Sequence, residues 1–495
     1  MSFVDCAVPN CIYPALVDVP VCRPCGRRYC FYHLDDPVNP CWILEKQGKR
    51  QGTSLKDMNQ PEVSQLLELL DTKIITTEIE AYLPGRKVTH IDLKSTEEMI
   101  LDLKGGFNLM VRIDFDDKSS WFMRIRRRAG RRPYPDEPLR LNLESEVATC
   151  QALYNAGVSV PPTYPRPKDS EHHAKLQYCY QRMIPGSSWS SFDPILSWFK
   201  PPEPCDKPTL KHITSIAKWY ISLERCQFDK IGSPVNENGK IVIGPLIERQ
   251  PTSNTPPYFS GPFDYVKQRY LSIINFRLSL LRERCMVKVK EELEVYFSLL
   301  ALKEIVENSR EMEGNGPYYM KHGDDHHEHF RSTEEGEITG VIDWEWAYTT
   351  SKAEAFSAPT SLIPSRLSET SDDDNLSDRE MALAEAYSSL GRPDLAKYVR
   401  EGRKYSRLIK SIHHSWASVE DFVAMRKAFL GISNDEYALF KTRDKWMEYM
   451  KFKYKEDEGL TYFLSNPLPE PKISEQEKND TSCVFNQYII YAPFI

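Results

Sequence analysis

The sequence lacks any run of about 18 uncharged apolar residues, so no segment reads as a membrane-spanning helix. Its opening, MSFVDCAVPN, carries an aspartate where a secretory leader has basic residues, and no continuous apolar stretch follows; that composition is not a signal peptide's. Positive charge is not in excess either. Sixty-four Lys and Arg stand against 71 Asp and Glu, a net charge of −7, which removes any global electrostatic case for a nucleic-acid partner and leaves only local binding. No internal repeat is found. The chain reads as cytoplasmic or nuclear, with no membrane partner.

The 495 residues, 41% of them apolar and nine of them Trp, can build a sizeable core and predict roughly two to four domains. Twelve cysteines would suit a disulfide framework in a short secreted chain. Here six crowd into the first 41 residues while Cys150, Cys179, Cys205, Cys226, Cys285 and Cys483 are scattered singly, a distribution that suggests one local metal site in a reducing compartment.

The crowded segment reads Cys6-x4-Cys11-x10-Cys22-x2-Cys25-x4-Cys30-x2-His33-x7-Cys41, with few large apolar residues between. So small a segment needs staples, and short Cys-x2-Cys and Cys-x2-His spacings let one turn present two ligands to one zinc ion. The spacing resembles cross-brace zinc fingers. That resemblance implies structural zinc at a first site of Cys6, Cys11, Cys30 and His33 and a second of Cys22, Cys25 and Cys41, whose fourth ligand is open: Asn39 stands where the family has histidine, and Asp35 or Asp36 could substitute. Buried free thiols are the plainer alternative. Modules of this kind usually bind a partner protein.

Residues 44–62 are polar, Gly-containing and aperiodic, as a linker is. From Gly105, GGFNLMVRIDF and WFMRIR around DDKSS predict a β-hairpin. LNLESEVATCQALYNAG predicts a helix ended by Gly157, VSVPPTYP a break, and KLQYCYQRMIPG a strand. HITSIAKWYISLERC, the run from Asp264 to Met312, and Met381 to Lys453 pattern as helices. Residues 365–380, acidic and Ser-rich, suggest a mobile loop, and the tail after Asn466 is polar. The expected fold class is α+β: a small zinc-binding domain over 1–43, a small β-rich lobe over 63–186 and a large helical lobe over 187–465, with a cleft between the lobes.

Chemistry concentrates in KHGDDHHEHFRSTEEGEITGVIDWEWAY, residues 321–348, where Asp324 and Asp343 lie 19 residues apart at the ends of short strand-flanking loops. Two carboxylates so spaced can divide phosphoryl transfer, one orienting and deprotonating a hydroxyl, the other holding a divalent metal. HGD and IDWEWA, with GGFN, WFMRIR and ESEVAT upstream in the same order, resemble the aminoglycoside and choline phosphotransferase family, particularly its fungal branch, as do FDKIGSP and IGPL. The resemblance covers roughly residues 80–450 and implies a two-lobed, protein-kinase-like fold using ATP and Mg2+ or Mn2+ to phosphorylate a small hydroxyl-bearing substrate.

Carried over, Asp324 is the catalytic base and Asp343 the metal ligand. Arg124 meets phosphate where kinases have Lys, and Glu146 pairs with it. Gly105, Gly106 and Asn108 adjoin the nucleotide, while Gln181, Arg182 and Met183 flank adenine. Two positions depart from the pattern. His329 replaces a metal-ligating Asn, which favours manganese or zinc over magnesium, and Asp325 replaces an apolar residue.

Two other classes remain open at this point: a non-catalytic pseudokinase scaffold, favoured by His329 and Arg124, and a metal-dependent hydrolase built on His322, Asp324, His326, His327 and His329. Several of these histidines are also expected simply to bond carbonyls within the loop. The basic run from Arg124 to Arg132 reads as a strand end and solvated loop, Arg124 excepted. Glu144 reads as solvent-facing, and Cys150 and Cys179 as core thiols.

Overall fold

A computed structural model describes residues 3–5, 14–16, 55–101, 107–127, 136–189, 205–249, 252–253, 256–283, 292–363, 376–440 and 442–467. The zinc-ligand candidates Cys6, Cys11, Cys22, Cys25, Cys30, His33 and Cys41, the substitutes Asp35 and Asp36, Gly105 and Gly106, and residues 128–132 and 365–375 lie outside them. Of the first segment, strands β1 (Phe3–Asp5) and β2 (Pro14–Leu16) pair antiparallel. Among the described residues no helix is long and apolar enough to cross a membrane.

The chain divides into two units, Met1–Val147 with Pro162–Met183, and Ala148–Pro161 with Ile184–Ile495. The fold is α+β. The first unit holds a five-stranded antiparallel sheet of β3 (Val88–Asp92), β4 (Asn108–Phe115), β5 (Ser120–Arg126), β6 (Thr163–Pro165) and β7 (Tyr178–Arg182), in the order β3-β4-β5-β7-β6. Strict alternation on β4 sends Leu109, Val111, Ile113 and Phe115 to one face, and their β5 counterparts Trp121, Met123 and Ile125 join them. Helices α1 (Leu55–Glu68), α2 (Thr72–Tyr82) and α3 (Thr96–Leu101) cover that face, through Val63, Ile75, Ile79 and Met99.

On the opposite face Arg124 stands in register with Cys179. There α4 (Asp136–Asn155) lays down Leu143 and Val147 against Cys179, the i, i+4 spacing that makes one helical face.

Three features depart from the sequence reading. Helix α1 begins at Leu55, inside the stretch read as linker, because helical anchoring comes from Val63, Leu66 and Leu67, further along than the polar start. Thr163–Pro165, read as a break, is the edge strand of the sheet, the position in a sheet that tolerates proline. Cys150, Leu153, Val158 and Val160 pack into the second unit's core, so 148–161 is counted there and not with the β-rich lobe.

The second unit is mainly helical: α5 (Lys207–Leu223), α6 (Val266–Arg282), α7 (Glu292–Asn308), α8 (Lys352–Ala355), α9 (Asp378–Ser389), α10 (Pro393–His414), α11 (Val419–Leu430), α12 (Arg443–Lys453) and α13 (Glu458–Ser465). Two short sheet elements are inserted among them. Strand β11 (Tyr318–Lys321) lies between β8 (Gln227–Phe228) and β14 (Tyr348–Thr350), while β12 (Phe330–Ser332) pairs with β13 (Ile338–Val341); β9 (Pro234–Glu237) and β10 (Lys240–Ile243) form a separate hairpin.

The end of the expected mobile loop is ordered. Ser377 and Glu380 form a capping box that starts α9, and buried Glu380 also pairs with Arg403. The Ser-x-x-Glu spacing in SDRE is the signal that acidic composition obscured.

Candidate active site

Strand β11 delivers His322, Gly323 and Asp324 at its end, and β13 delivers Ile342 and Asp343. The two loops lie side by side. The N–H of Asp324 donates to Nδ1 of His322 at 3.0 Å, so the ring proton sits on Nε2, which donates to the carbonyl of Ile342 at 2.9 Å. Burial, with the neighbouring His329 ring adding to it, pushes the His322 pKa down to about 4, so the ring is a neutral clamp between the loops. Gly323 is required by the same contact: a β-carbon there would stand 2.5 Å from the carbonyl oxygen of Trp346.

Asp343 itself adopts left-handed backbone geometry, φ 65°, and Trp346 does so at 58°. Such conformations cost roughly 1–3 kcal/mol each and persist where surroundings over-determine them. Here the fixing element is Trp344, fully buried, whose Nε1 donates to Val341 O at 2.9 Å and whose ring lies 4.7 Å from that of His322.

His329 joins the two aspartates. Its Nδ1 donates to the backbone carbonyl of Asp324 at 2.7 Å, and its Nε2 lies 3.3 Å from Oδ2 of Asp343. Burial disfavours the charged ring, but the hydrogen bond and charge of Asp343, with Asp324 behind them, outweigh it and raise the pKa. Asp324 is subject to the same contest with the opposite charge: burial lifts its pKa, while His326, whose Nε2 lies 3.5 Å from Oδ2, and the other imidazoles bring it below the ordinary carboxylate value.

Ligand atoms of Asp324, His326 and His329 lie within 4.8 Å of one another. With Nδ1 engaged, a deprotonated His329 presents its Nε2 lone pair beside Asp343, so the donors present, carboxylate oxygen with imidazole nitrogen, suit a divalent cation and favour a softer one than magnesium.

Asp325 has a different task. It is buried, accepts from Thr360 N and Oγ1 at 2.9 and 2.7 Å, and pairs with Lys321 at 3.2 Å. An acid can therefore occupy an inward-facing position because every charge-bearing atom around it is matched. The expectation that some loop histidines bond carbonyls holds for His322 and His329.

The first unit carries the remaining candidates. Arg124 Nη1 lies 3.2 Å from Glu146 Oε1, with side chains 6% and 1% exposed. Gln181 is buried, its Nε2 donating to Thr163 Oγ1 at 3.3 Å, whereas Arg182 and Met183 are exposed; Asn108 opens β4 in register with Arg126. The solvated reading of the basic run fails for Arg126 and Arg127, which are both buried. Arg126 lies over the Phe107 ring at 5.1 Å and Arg127 pairs with Glu62 at 3.1 Å, contacts of high sequence separation or aromatic character that a charge run conceals. Cys150 and Cys179 are buried thiols, and Glu144 is exposed, bonded to Arg140.

No protein-family description matches the chain, and no curated protein does. Among solved structures it is similar to a macrolide 2'-phosphotransferase type I, at 15% identity and TM-score 0.34 over 78% of this chain and 100% of that one. It is similar also to a macrolide 2'-phosphotransferase from Brachybacterium faecium, at 13% and 0.34 over 74% and 100%, and to an ethanolamine kinase from Plasmodium vivax, at 15% and 0.34 over 74% and 81%.

Proposed function

We propose that the chain is an ATP-dependent phosphotransferase that moves the γ-phosphoryl group to a hydroxyl of a small molecule. The observation that carries this reading is the pair of abutting loops that bring Asp324 and Asp343 to one site through His329, in the segment whose HGD and IDWEWA motifs resemble the phosphotransferase family. Asp324, ionised because its pKa is lowered, accepts the hydrogen bond of the attacking hydroxyl and then its proton. Its weak basicity suits a loose transition state in which the proton leaves late. A divalent cation held by Asp343 and His329 would neutralise charge on the triphosphate. Arg124, fixed by Glu146, offers a permanent charge and forked donors to phosphate, and the Gln181–Met183 segment flanks the base. The spacing from Cys6 to Cys41 supports a separate zinc-stapled module for a protein partner.

The contact between His329 and Asp343 also favours a second reading, a nucleotide-binding protein without turnover, in which the imidazolium takes the metal's place. Thermal unfolding with ATP and Mg2+ or Mn2+ separates the two. Ligand at a hundred times its Kd stabilises by about 2.7 kcal/mol; metal-dependent stabilisation that Asp343→Ala abolishes is the expected result, with manganese preferred and magnesium regained in His329→Asn. Stabilisation by ATP equal with and without metal supports the second reading. No shift with any nucleotide refutes both.

A further inference from the structure

His326 is used neither by the motifs nor by the proposed transfer, yet the fold brings it to the reacting end of the site. Residues His327–His329 make a single 3₁₀ turn, closed where the His329 N–H donates to His326 O at 3.2 Å. Side chains three apart eclipse in such a turn. The rings of His326 and His329 accordingly stand 4.0 Å apart between centroids. On its other side His326 reaches back along the loop, its Nε2 3.5 Å from Oδ2 of Asp324. Among the described residues no other three donors from His, Cys, Asp or Glu converge as these do, one atom of each within 4.8 Å of the rest.

The spacing discriminates between ions. Two ligands on a tetrahedral zinc ion, with bonds of about 2.0–2.1 Å, stand about 3.3 Å from one another, whereas adjacent oxygens on octahedral magnesium stand about 2.9 Å apart. The 3.5 Å between His326 and Asp324 is close to the tetrahedral edge. The other edges shorten by rotation of these two side chains, which are 19% and 17% exposed and so have room to turn. Two imidazoles and one carboxylate, with a fourth position left open, are a donor set for zinc and its transition-metal neighbours and not for magnesium.

We propose that Asp324, His326 and His329 form a zinc site that switches phosphoryl transfer off. Ion binding rests on this geometry alone; its consequence rests on the phosphotransferase reading. Zinc takes the Asp324 lone pair that would accept the hydroxyl proton. It also claims His329, whose Nε2 lies 3.3 Å from Asp343 Oδ2, and so withdraws that imidazole from the cation that supports transfer. The two ions share a ligand and exclude one another.

The test uses the full-length protein, with zinc titrated by calorimetry and cobalt(II) added separately as a spectroscopic stand-in. Cobalt on nitrogen and oxygen donors gives the visible ligand-field band of a tetrahedral ion, while cysteine ligands add thiolate-to-cobalt charge transfer in the near ultraviolet, which separates this site from the segment of Cys6 to Cys41. His326→Gln and Asp324→Asn are compared with wild type, and either serves where the other lacks native circular dichroism. Wild type is expected to bind one more zinc ion than each variant. Loss of a mere supporting partner weakens metal binding by about tenfold to a hundredfold, so loss of a ligand should weaken this ion at least about a hundredfold. Saturating zinc should stop ADP release from ATP in wild type and a chelator should restore it, while His326→Gln should keep its own rate at the same zinc concentration. Equal zinc stoichiometry in all three proteins, a cobalt spectrum carried by thiolates alone, or equal inhibition of wild type and His326→Gln overturns the inference. Those results leave metal-dependent stabilisation by ATP in place. If the phosphotransferase reading fails instead, the additional zinc ion is still counted while ATP gives no stabilisation.

Discussion

Gly323 and the carbonyl of Trp346 are in such close contact that a single added carbon at position 323 would fall 2.5 Å from the oxygen. The loops bearing Asp324 and Asp343 are thus spaced by the absence of a side chain. Gly323→Ala should force them apart, at a stability cost of about 1–3 kcal/mol for overpacking. Because displacement of about 1 Å can cost roughly a hundredfold in rate, turnover should fall by about that factor in protein whose circular dichroism is native. Steady-state kinetics beside urea unfolding checks both figures, and unchanged kcat would show that the spacing is immaterial.

The Arg124–Glu146 pair makes a different prediction. Both side chains are almost wholly buried, so removing one partner leaves a charge stranded, at a cost of about 3–5 kcal/mol, whereas replacing both with apolar residues of similar size is close to neutral. Arg124→Met and Glu146→Leu should each lower the urea midpoint sharply, and the double variant should regain most of it. Nucleotide-induced stabilisation should fail in all variants lacking Arg124. A double variant as unstable as the sum of the singles would contradict the pairing.

His322 supplies a pH dependence. Its folded pKa, about 4, lies below the ordinary 6.5, so between those values the unfolded chain binds the proton that the folded chain refuses. The stability is fully present above pH 6.5, is lost as pH falls, and levels off below about 4, for a total on the order of 3 kcal/mol. His322→Gln, which retains a donor for Ile342, should lack this component. Urea midpoints of the two proteins from pH 7 to 4 should converge; parallel curves would mean that the ring is protonated without penalty.

The hairpin of β4 and β5 was legible because its alternation is strict and its turn short, and the ESEVAT helix because Leu143 and Val147 repeat at helical spacing. The positions of Asp324, Asp343, Arg124 and Glu146 were legible as motif and order. What was not legible depended on contacts far apart in sequence. Nothing local marks Arg127 as the partner of Glu62, or Asp325 as the anchor of Thr360. Strand β6 follows Pro161 and Pro162, ends on Pro165, and declares itself only through the neighbour it pairs with.

The guanidinium at position 124 has one more consequence. A lysine at a nucleotide site offers an amine that acyl-phosphate and sulfonyl-fluoride nucleotide analogues capture covalently. Arg124, permanently protonated and held against Glu146, has no such nucleophile, so on the proposed reading amine capture at this position fails even with nucleotide bound, and non-covalent or photochemical labelling is the way to register it.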